Sequence, residues 1–410
     1  MTTQAPRGGA LLRRERSAGE LVEWNAVPRR MVLVWGALFM NVLTFYGVPI
    51  LVPIPGPIGQ LVSQGALPLA LLLALMVNPR IVLRPSLVLL LLSVMAVAAL
   101  MVSIHNEFAL SSTFRACRLT GFVLVLWLLT PWFGRRDMLL LRCHRRCLWV
   151  VLGSVILGAV LSPGLAFAFE GRLAGVIWPI PPTQVAHYAA IMFGTSAVLW
   201  MCGVITGRHA LIALAVTGPV LMLAHTRTAL LATVVGLAVA GASLFLGHAR
   251  VRRTSALGSV IAVMMATVFA SELTTWLLRG QSPQEAGQLT GRTKVWSAVF
   301  ATPRPRVQEL FGSGLSDQSF NGLPIDSNWV AAFWDQGWFG LVLQASILLV
   351  LLLMAITHER GPQRATALFL IAYAIVASFT ETGLGTPSPY ILDLVVAAAL
   401  LAPEARGRAA

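Results

Sequence analysis

Residues 78–108 read NPRIVLRPSLVLLLLSVMAVAALMVSIHNEF. Arg80 and Arg84 stand before the apolar run 85–104, and Glu107 stands after it. A helix needs about 20 apolar residues to cross the hydrocarbon core of a bilayer, so this run predicts a transmembrane helix. A membrane β-strand would instead show short alternating segments. The charges give the helix a direction, because Arg and Lys collect on the cytoplasmic side of a membrane.

The same pattern recurs along the chain. Apolar runs near 31–53, 61–77, 85–104, 114–133, 147–168, 183–204, 209–225, 227–247, 255–276, 336–357, 364–380 and 387–402 predict about twelve spans. With the N-terminus inside, the cytoplasmic segments hold Arg29, Arg30, Arg80, Arg84, Arg135, Arg136, Arg142, Arg145, Arg146, Arg208, Arg250, Arg252, Arg253, Arg360 and Arg364. Glu107, Glu170, Glu272, Glu285, Glu309, Asp317, Asp326, Asp335 and Glu381 fall on the other side. That asymmetry predicts two cytoplasmic termini. Residues 1–30 are expected as an uncleaved cytoplasmic tail, 31–276 as spans one to nine, 277–335 as a large extracytoplasmic loop, 336–402 as spans ten to twelve, and 403–410 as a second cytoplasmic tail.

Composition agrees. The chain has 410 residues, 57% apolar and only 11% charged, with a mean hydropathy of +0.78. Soluble domains are about 25% charged, so the class expected is an all-α polytopic membrane protein. The net charge of +14 serves orientation rather than nucleic-acid binding. Cys143 and Cys147 flank His144 in a stretch placed in a cytoplasmic loop, a spacing read as reduced thiols at a helix start rather than a metal site. No internal repeat is visible, which argues against an inverted-repeat transporter.

The chemistry is expected outside. Loops longer than about 15 residues are usually functional or disordered, and 277–335 carries helix-like patterning at Thr290–Phe300 and turn signals at Gly312, Gly314, Gly322 and Pro324. Arginine grips phosphate with two parallel hydrogen bonds. Arg172 follows span five, Arg227 opens span eight, Arg279 follows span nine and Arg292 lies in the large loop. Arg118 and Lys294 also fall outside or at outer helix ends. The alternative for each is a cation anchoring a helix end in the headgroup layer. Asp326 precedes an aromatic-rich helix start, where it serves either as an N-cap, a part Ser327 also fits, or as a general base. Glu381 and Asp393 lie in or beside the last two spans, with Asp393 expected to face the bundle interior.

RLAGVIWP before a proline turn, HTRTALLA at a helix start, GRTKVW in the long loop, then GSGLSDQSF and DSNWVAAFWDQGWFG, come in an order that resembles the O-antigen ligase and polymerase superfamily. The resemblance runs from about Gly171 to Thr357 and rests on order and spacing, since no single motif is specific. It implies a GT-C-like bundle of the bacterial plasma membrane with an extracytoplasmic active site. The implied reaction transfers a glycan from a polyprenyl-diphosphate donor to a hydroxyl of a glycan or glycolipid acceptor, with no cofactor, no metal and no nucleic acid. The resemblance assigns Arg172, Arg227 and Arg292 to the diphosphate. The family's histidine is missing: counting back from Gly337 and Gly340 puts Asp326 in its place, and aligning on Asn328 puts Ser327 there. Asp326 is the favoured base. A polymerase of the same superfamily and a transporter or flippase of envelope glycolipids are the alternatives.

Overall fold

The computed structural model describes residues 28–43, 45, 49–105, 109–245, 251–253, 258, 264, 267 and 292–404. The expected N-terminal tail up to residue 27, most of span nine, Arg279, the loop up to residue 291 and the last six residues lie outside them. Helix makes up 73% of the structure. The helices are α1 (Arg29–Val42), α2 (Gly56–Val77), α3 (Leu87–Ile104), α4 (Ala109–Leu128), α5 (Leu139–Leu161), α6 (Pro182–Met201), α7 (Gly207–Leu223), α8 (Arg227–Leu244), α9 (Arg292–Ala301), α10 (Arg306–Phe311), α11 (Asn328–Thr357), α12 (Pro362–Ala377) and α13 (Pro389–Leu401). A short hairpin pairs β1 (Ser319–Phe320) with β2 (Leu323–Pro324).

Among the described residues, α2, α3, α5, α8 and α11 are long and apolar enough to cross a membrane. α7, α12 and α13 are apolar but shorter. The chain is therefore an all-α membrane protein, while the expected count of about twelve spans exceeds what helix length and composition establish. α13 has only 13 residues because the segment before it, 378–388, enters the bundle as loop and lines a cavity there.

The centre of the bundle is α6, α12 and α13, whose residues are buried on most faces. α2, α3 and α8 surround it and turn large apolar side chains such as Leu61, Leu72, Met76 and Val234 outward. In lipid, helices associate through close packing of small residues rather than by hiding apolar ones. α8 follows that rule: Ala229, Ala232, Gly236 and Ala240 form its buried seam against α12. Phe369 of α12 wedges between Gly194 of α6 and Gly236 of α8. A Cβ at those glycines would lie 1.9 Å and 2.8 Å from its ring.

One helix start differs from expectation. The basic stretch before span five is helical from Leu139, so Cys143, His144 and Cys147 lie buried inside α5 rather than in a loop. Two of the arginines there find partners within the protein. Arg142 bonds Asp137, and Arg145 donates to Thr195 Oγ1 at 2.8 Å and Ser196 Oγ at 3.0 Å. Paired in this way, arginines no longer force the chain out of the bundle.

The opposite end carries a cap of α9, α10, the hairpin and the first two turns of α11. Its own small core joins Val299, Ile325, Val330 and Ala331 to Trp296, Phe320, Phe333 and Trp334. α11 kinks at Gly337, which has φ 62°. Glycine fits there because a Cβ would lie 2.5 Å from the Leu310 backbone. The kink frees the carbonyls of Trp334 and Asp335, which accept from the backbone N–H groups of Ser313 and Gly314 at 3.1 Å and 3.0 Å. Arg304 clamps the same corner with its guanidinium 4.2 Å from the Phe333 ring centre.

Candidate functional site

Arg172 leaves a tight turn in which Glu170 and Gly171 have φ 54° and 69°. Its Nε donates to the Ala224 carbonyl at 3.2 Å and its Nη2 to Thr226 Oγ1 at 3.1 Å. Thr226 is the N-cap of α8, yet its hydroxyl makes no cap bond. Arg172 holds that oxygen instead, beside the first residue of α8, Arg227. Thr228, one residue further, meets Thr380 with the two hydroxyl oxygens 2.6 Å apart. That contact ties the start of α8 to the α12–α13 loop and so to Glu381.

Arg292 opens α9, and its Nε donates to Asp326 Oδ2 at 3.1 Å. Both side chains are partly exposed, at 26% and 41%. Asp326 therefore does not cap α11. Ser327 occupies the N-cap without a side-chain bond, and Asn328 fastens the helix start by donating from Nδ2 to Gln344 Oε1 at 2.6 Å.

Glu381 joins these groups. Burial pushes its carboxyl up to about 7; Arg292 and Arg172 pull it back, and Asp326 adds to the rise. Burial likewise lowers Arg172 from the ordinary guanidinium range, opposed by Glu170 and Glu381 and reinforced by Arg292. Arg172, Arg292, Asp326 and Glu381 thus share one electrostatic neighbourhood, with Arg227 next to the Thr226 hydroxyl that Arg172 grips.

Glu381 also lines a cavity of about 1160 Å³ between α2, α4, α6 and the α12–α13 loop. Gln60, Gln64, Gln184, Gln318, Thr183 and Thr382 supply amides and hydroxyls, and Phe45, Phe114 and Tyr390 supply rings. Arg172, Arg227, Arg292 and Asp326 are not in that wall; Glu381 is where the cavity meets the cluster. Arg118 lines the cavity and is bound to Asn41, donating from Nε to Oδ1 at 3.3 Å and from Nη2 to its carbonyl. Arg115 lines this cavity and also a groove of about 1900 Å³ walled by Val97, Met101, Phe311 and Phe339. Lys294 stands exposed on α9, and no described contact brings it to the cluster.

A second constellation was only half legible in the sequence. Asp393 of α13 is 1% exposed and faces the interior. His187 Nε2 lies 3.0 Å from its Oδ2, and His144 Nε2 lies 2.9 Å from its Oδ1. Trp35 Nε1 donates to His144 Nδ1 at 3.2 Å. A carboxylate inside an apolar run signals that polar partners must exist. Nothing local singles out His187 and His144, which sit far apart in the chain and meet only through packing of α5, α6 and α13. Among the described residues, no group of three or more His, Cys, Asp or Glu side chains is arranged to hold a metal ion.

Fold and site together define a helical membrane protein with a cluster of arginines and carboxylates joined through Glu381 to a polar cavity. Comparison with models of known protein families and with curated protein sequences finds no match for the chain.

Proposed function

We propose that the protein is a membrane glycosyltransferase, moving a glycan from a polyprenyl-diphosphate donor to an acceptor hydroxyl. The charge asymmetry of the sequence assigns the cap end to the extracytoplasmic face. The observation that carries the reading is Glu381, which walls the cavity and shares the field of Arg172, Arg292 and Asp326. Partly buried guanidinium groups suit a dense anion. A cavity of amides, hydroxyls and rings suits a glycan. A diphosphate-linked glycan presents both chemistries, joined by the bond that must break.

Arg172 and Arg292 take phosphate oxygens, and Arg227 adds its charge at the α8 N-terminus, where the helix dipole also favours anions. Charge grows on the diphosphate as the anomeric C–O bond opens, and preorganised donors stabilise it most at that moment. Asp326 anchors Arg292. The ion pair engages the carboxylate, so an anchoring part suits Asp326 better than the part of base. A bound diphosphate pushes the Glu381 carboxyl higher still, because like charge disfavours ionisation. Glu381 then faces the donor as a neutral acid, donating a hydrogen bond. The apolar groove meeting the cavity at Arg115 suits the hydrocarbon part of a lipid-linked substrate.

The test is glycan transfer by purified full-length protein in lipid nanodiscs supplied with a polyprenyl-diphosphate oligosaccharide. Arg227→Ala should abolish transfer while the protein stays folded and inserted; full activity in that variant ends the diphosphate reading. The second reading, a proton-coupled carrier, is favoured by Asp393 buried between two imidazoles. It requires uptake that Asp393→Asn abolishes and no glycan transfer by the wild type.

A further inference from the structure

Asp326 is engaged by Arg292, and Glu381 faces the donor as an acid. Neither is suited to take the proton of the acceptor hydroxyl, so a base is needed on the other wall of the cavity. We infer that His187, oriented by Asp393, is that base. The inference rests on the glycosyl-transfer reading above.

Proximity selects one tautomer of the imidazole. His187 Nε2 lies 3.0 Å from Asp393 Oδ2, and because a carboxylate can only accept, that contact is favourable only with the hydrogen on Nε2. In the neutral ring the lone pair then belongs to Nδ1. That atom is buried and makes no hydrogen bond to the protein, although His187 lines the cavity. A buried acceptor without a partner in a cavity wall is suited to a substrate hydroxyl. An imidazole whose far nitrogen is bonded to a buried carboxylate, with its near nitrogen left to abstract a proton, is a recurring base in acyl transfer, and that logic depends on roles rather than on fold.

The third member explains why His187 and not His144 reacts. Indole N–H can only donate, so Trp35 makes His144 Nδ1 an acceptor. The His144 Nε2 therefore carries the hydrogen facing Asp393 Oδ1 at 2.9 Å. Trp35 takes His144 Nδ1, and His144 Nε2 lies 2.9 Å from the carboxylate, so His144 serves to hold Asp393 in place. Asp393 in turn stabilises the imidazolium that forms on His187. The groups facing His187 are Asp393 and Tyr390 from α13, His144 from α5, Tyr373 from α12 and Tyr188 beside it on α6, with Glu381, Arg115 and Arg118 across the cavity. The Tyr390 ring lies over the imidazole with the centres 4.3 Å apart.

In the step itself, the acceptor O–H bond breaks and its proton moves to His187 Nδ1. The oxygen pair forms the new bond to the anomeric carbon. The old C–O bond breaks with its pair leaving on the diphosphate, held by the arginines. Direct attack inverts the anomeric centre.

The experiment compares wild type, His187→Gln, His187→Ala and Asp393→Asn in nanodiscs with a polyprenyl-diphosphate oligosaccharide. It reads donor retention, transfer rate across pH and thermal melting. His187→Gln keeps an amide donor toward Asp393 but no base, so it separates chemistry from folding. The expected result is donor retention and melting near wild type in His187→Gln, with transfer reduced by about 10²- to 10⁴-fold. Asp393 is a positioning residue, so Asp393→Asn should alter the pH profile of the residual transfer. Wild-type transfer and an unchanged pH profile in His187→Gln overturn the inference and leave the glycosyltransferase reading standing. Equal loss of donor retention and transfer in both His187 variants also overturns it. No transfer by the wild type overturns both.

Discussion

Arg292 at the start of α9 and Asp326 just before α11 are joined by an Nε–Oδ2 hydrogen bond of 3.1 Å. The pair fastens the cap across itself and sets one cation of the cluster in place. Partly exposed ion pairs contribute little to stability, about 0–1 kcal/mol. The value of this one lies in aiming a guanidinium, which gives it a functional test.

Asp326→Asn should lower glycan transfer by no more than about tenfold, since an amide still accepts from Arg292 Nε. Loss of the base would cost about 10²- to 10⁴-fold. Transfer rates of the variant, measured across pH, separate anchor from base. A loss in the larger range restores Asp326 as the base and removes the anchoring account.

Arg172→Lys should weaken donor binding almost as much as Arg172→Ala. The guanidinium reaches the Ala224 carbonyl and the Thr226 hydroxyl with two separate nitrogens, and a single ammonium cannot reproduce that fork. Isothermal titration with the polyprenyl-diphosphate oligosaccharide measures it. Wild-type affinity in the lysine variant would mean that charge alone matters at this position.

Donor affinity should depend on pH through Glu381. Its carboxyl is pushed up to about 7 by burial, and a neighbouring anion favours the protonated form. Affinity is therefore highest below about 7 and falls as pH rises, approaching about tenfold per pH unit once the free protein has lost the proton. Glu381→Gln should flatten the curve at its acidic level. A wild-type affinity that rises with pH has the wrong sign and removes Glu381 from the donor site.

Gly194→Ala should destabilise the bundle by about 1–3 kcal/mol through overpacking, because its Cβ would enter the Phe369 ring at 1.9 Å. Phe369→Leu combined with Gly194→Ala should recover part of the loss. Thermal melting in nanodiscs reads both. An unaltered melting temperature in Gly194→Ala would mean that α6 and α12 pack more loosely than described.

Sequence patterning foretold the helical membrane class because a run such as 85–104 has few other solutions. It did not foretell where α5 begins. The arginines at 142 and 145 read as loop until Asp137, Thr195 and Ser196 are seen to satisfy them. Arg172 and Arg292 stand out in the sequence as cations beside glycine on the side that the charge pattern disfavours. Glu381 was visible only as a secondary candidate: its carboxyl is shifted by burial in a loop that enters the bundle, and burial of loops is not written in local sequence. The partners of Asp393 were illegible for the same reason. A carboxylate in an apolar helix announces that it needs donors, and only the crossing of α5, α6 and α13 decides that two imidazoles supply them.

The central claim is that Arg172, Arg227 and Arg292 hold a diphosphate together. The most direct measurement is photo-crosslinking of a polyprenyl-diphosphate carrying a diazirine next to its phosphates, followed by peptide mapping of the full-length protein. The account predicts labelled peptides containing Arg172, the α8 start and the α9–α11 region, with labelling lost in Arg172→Ala. Labelling confined to other surfaces of the bundle, unchanged by that substitution, would contradict it.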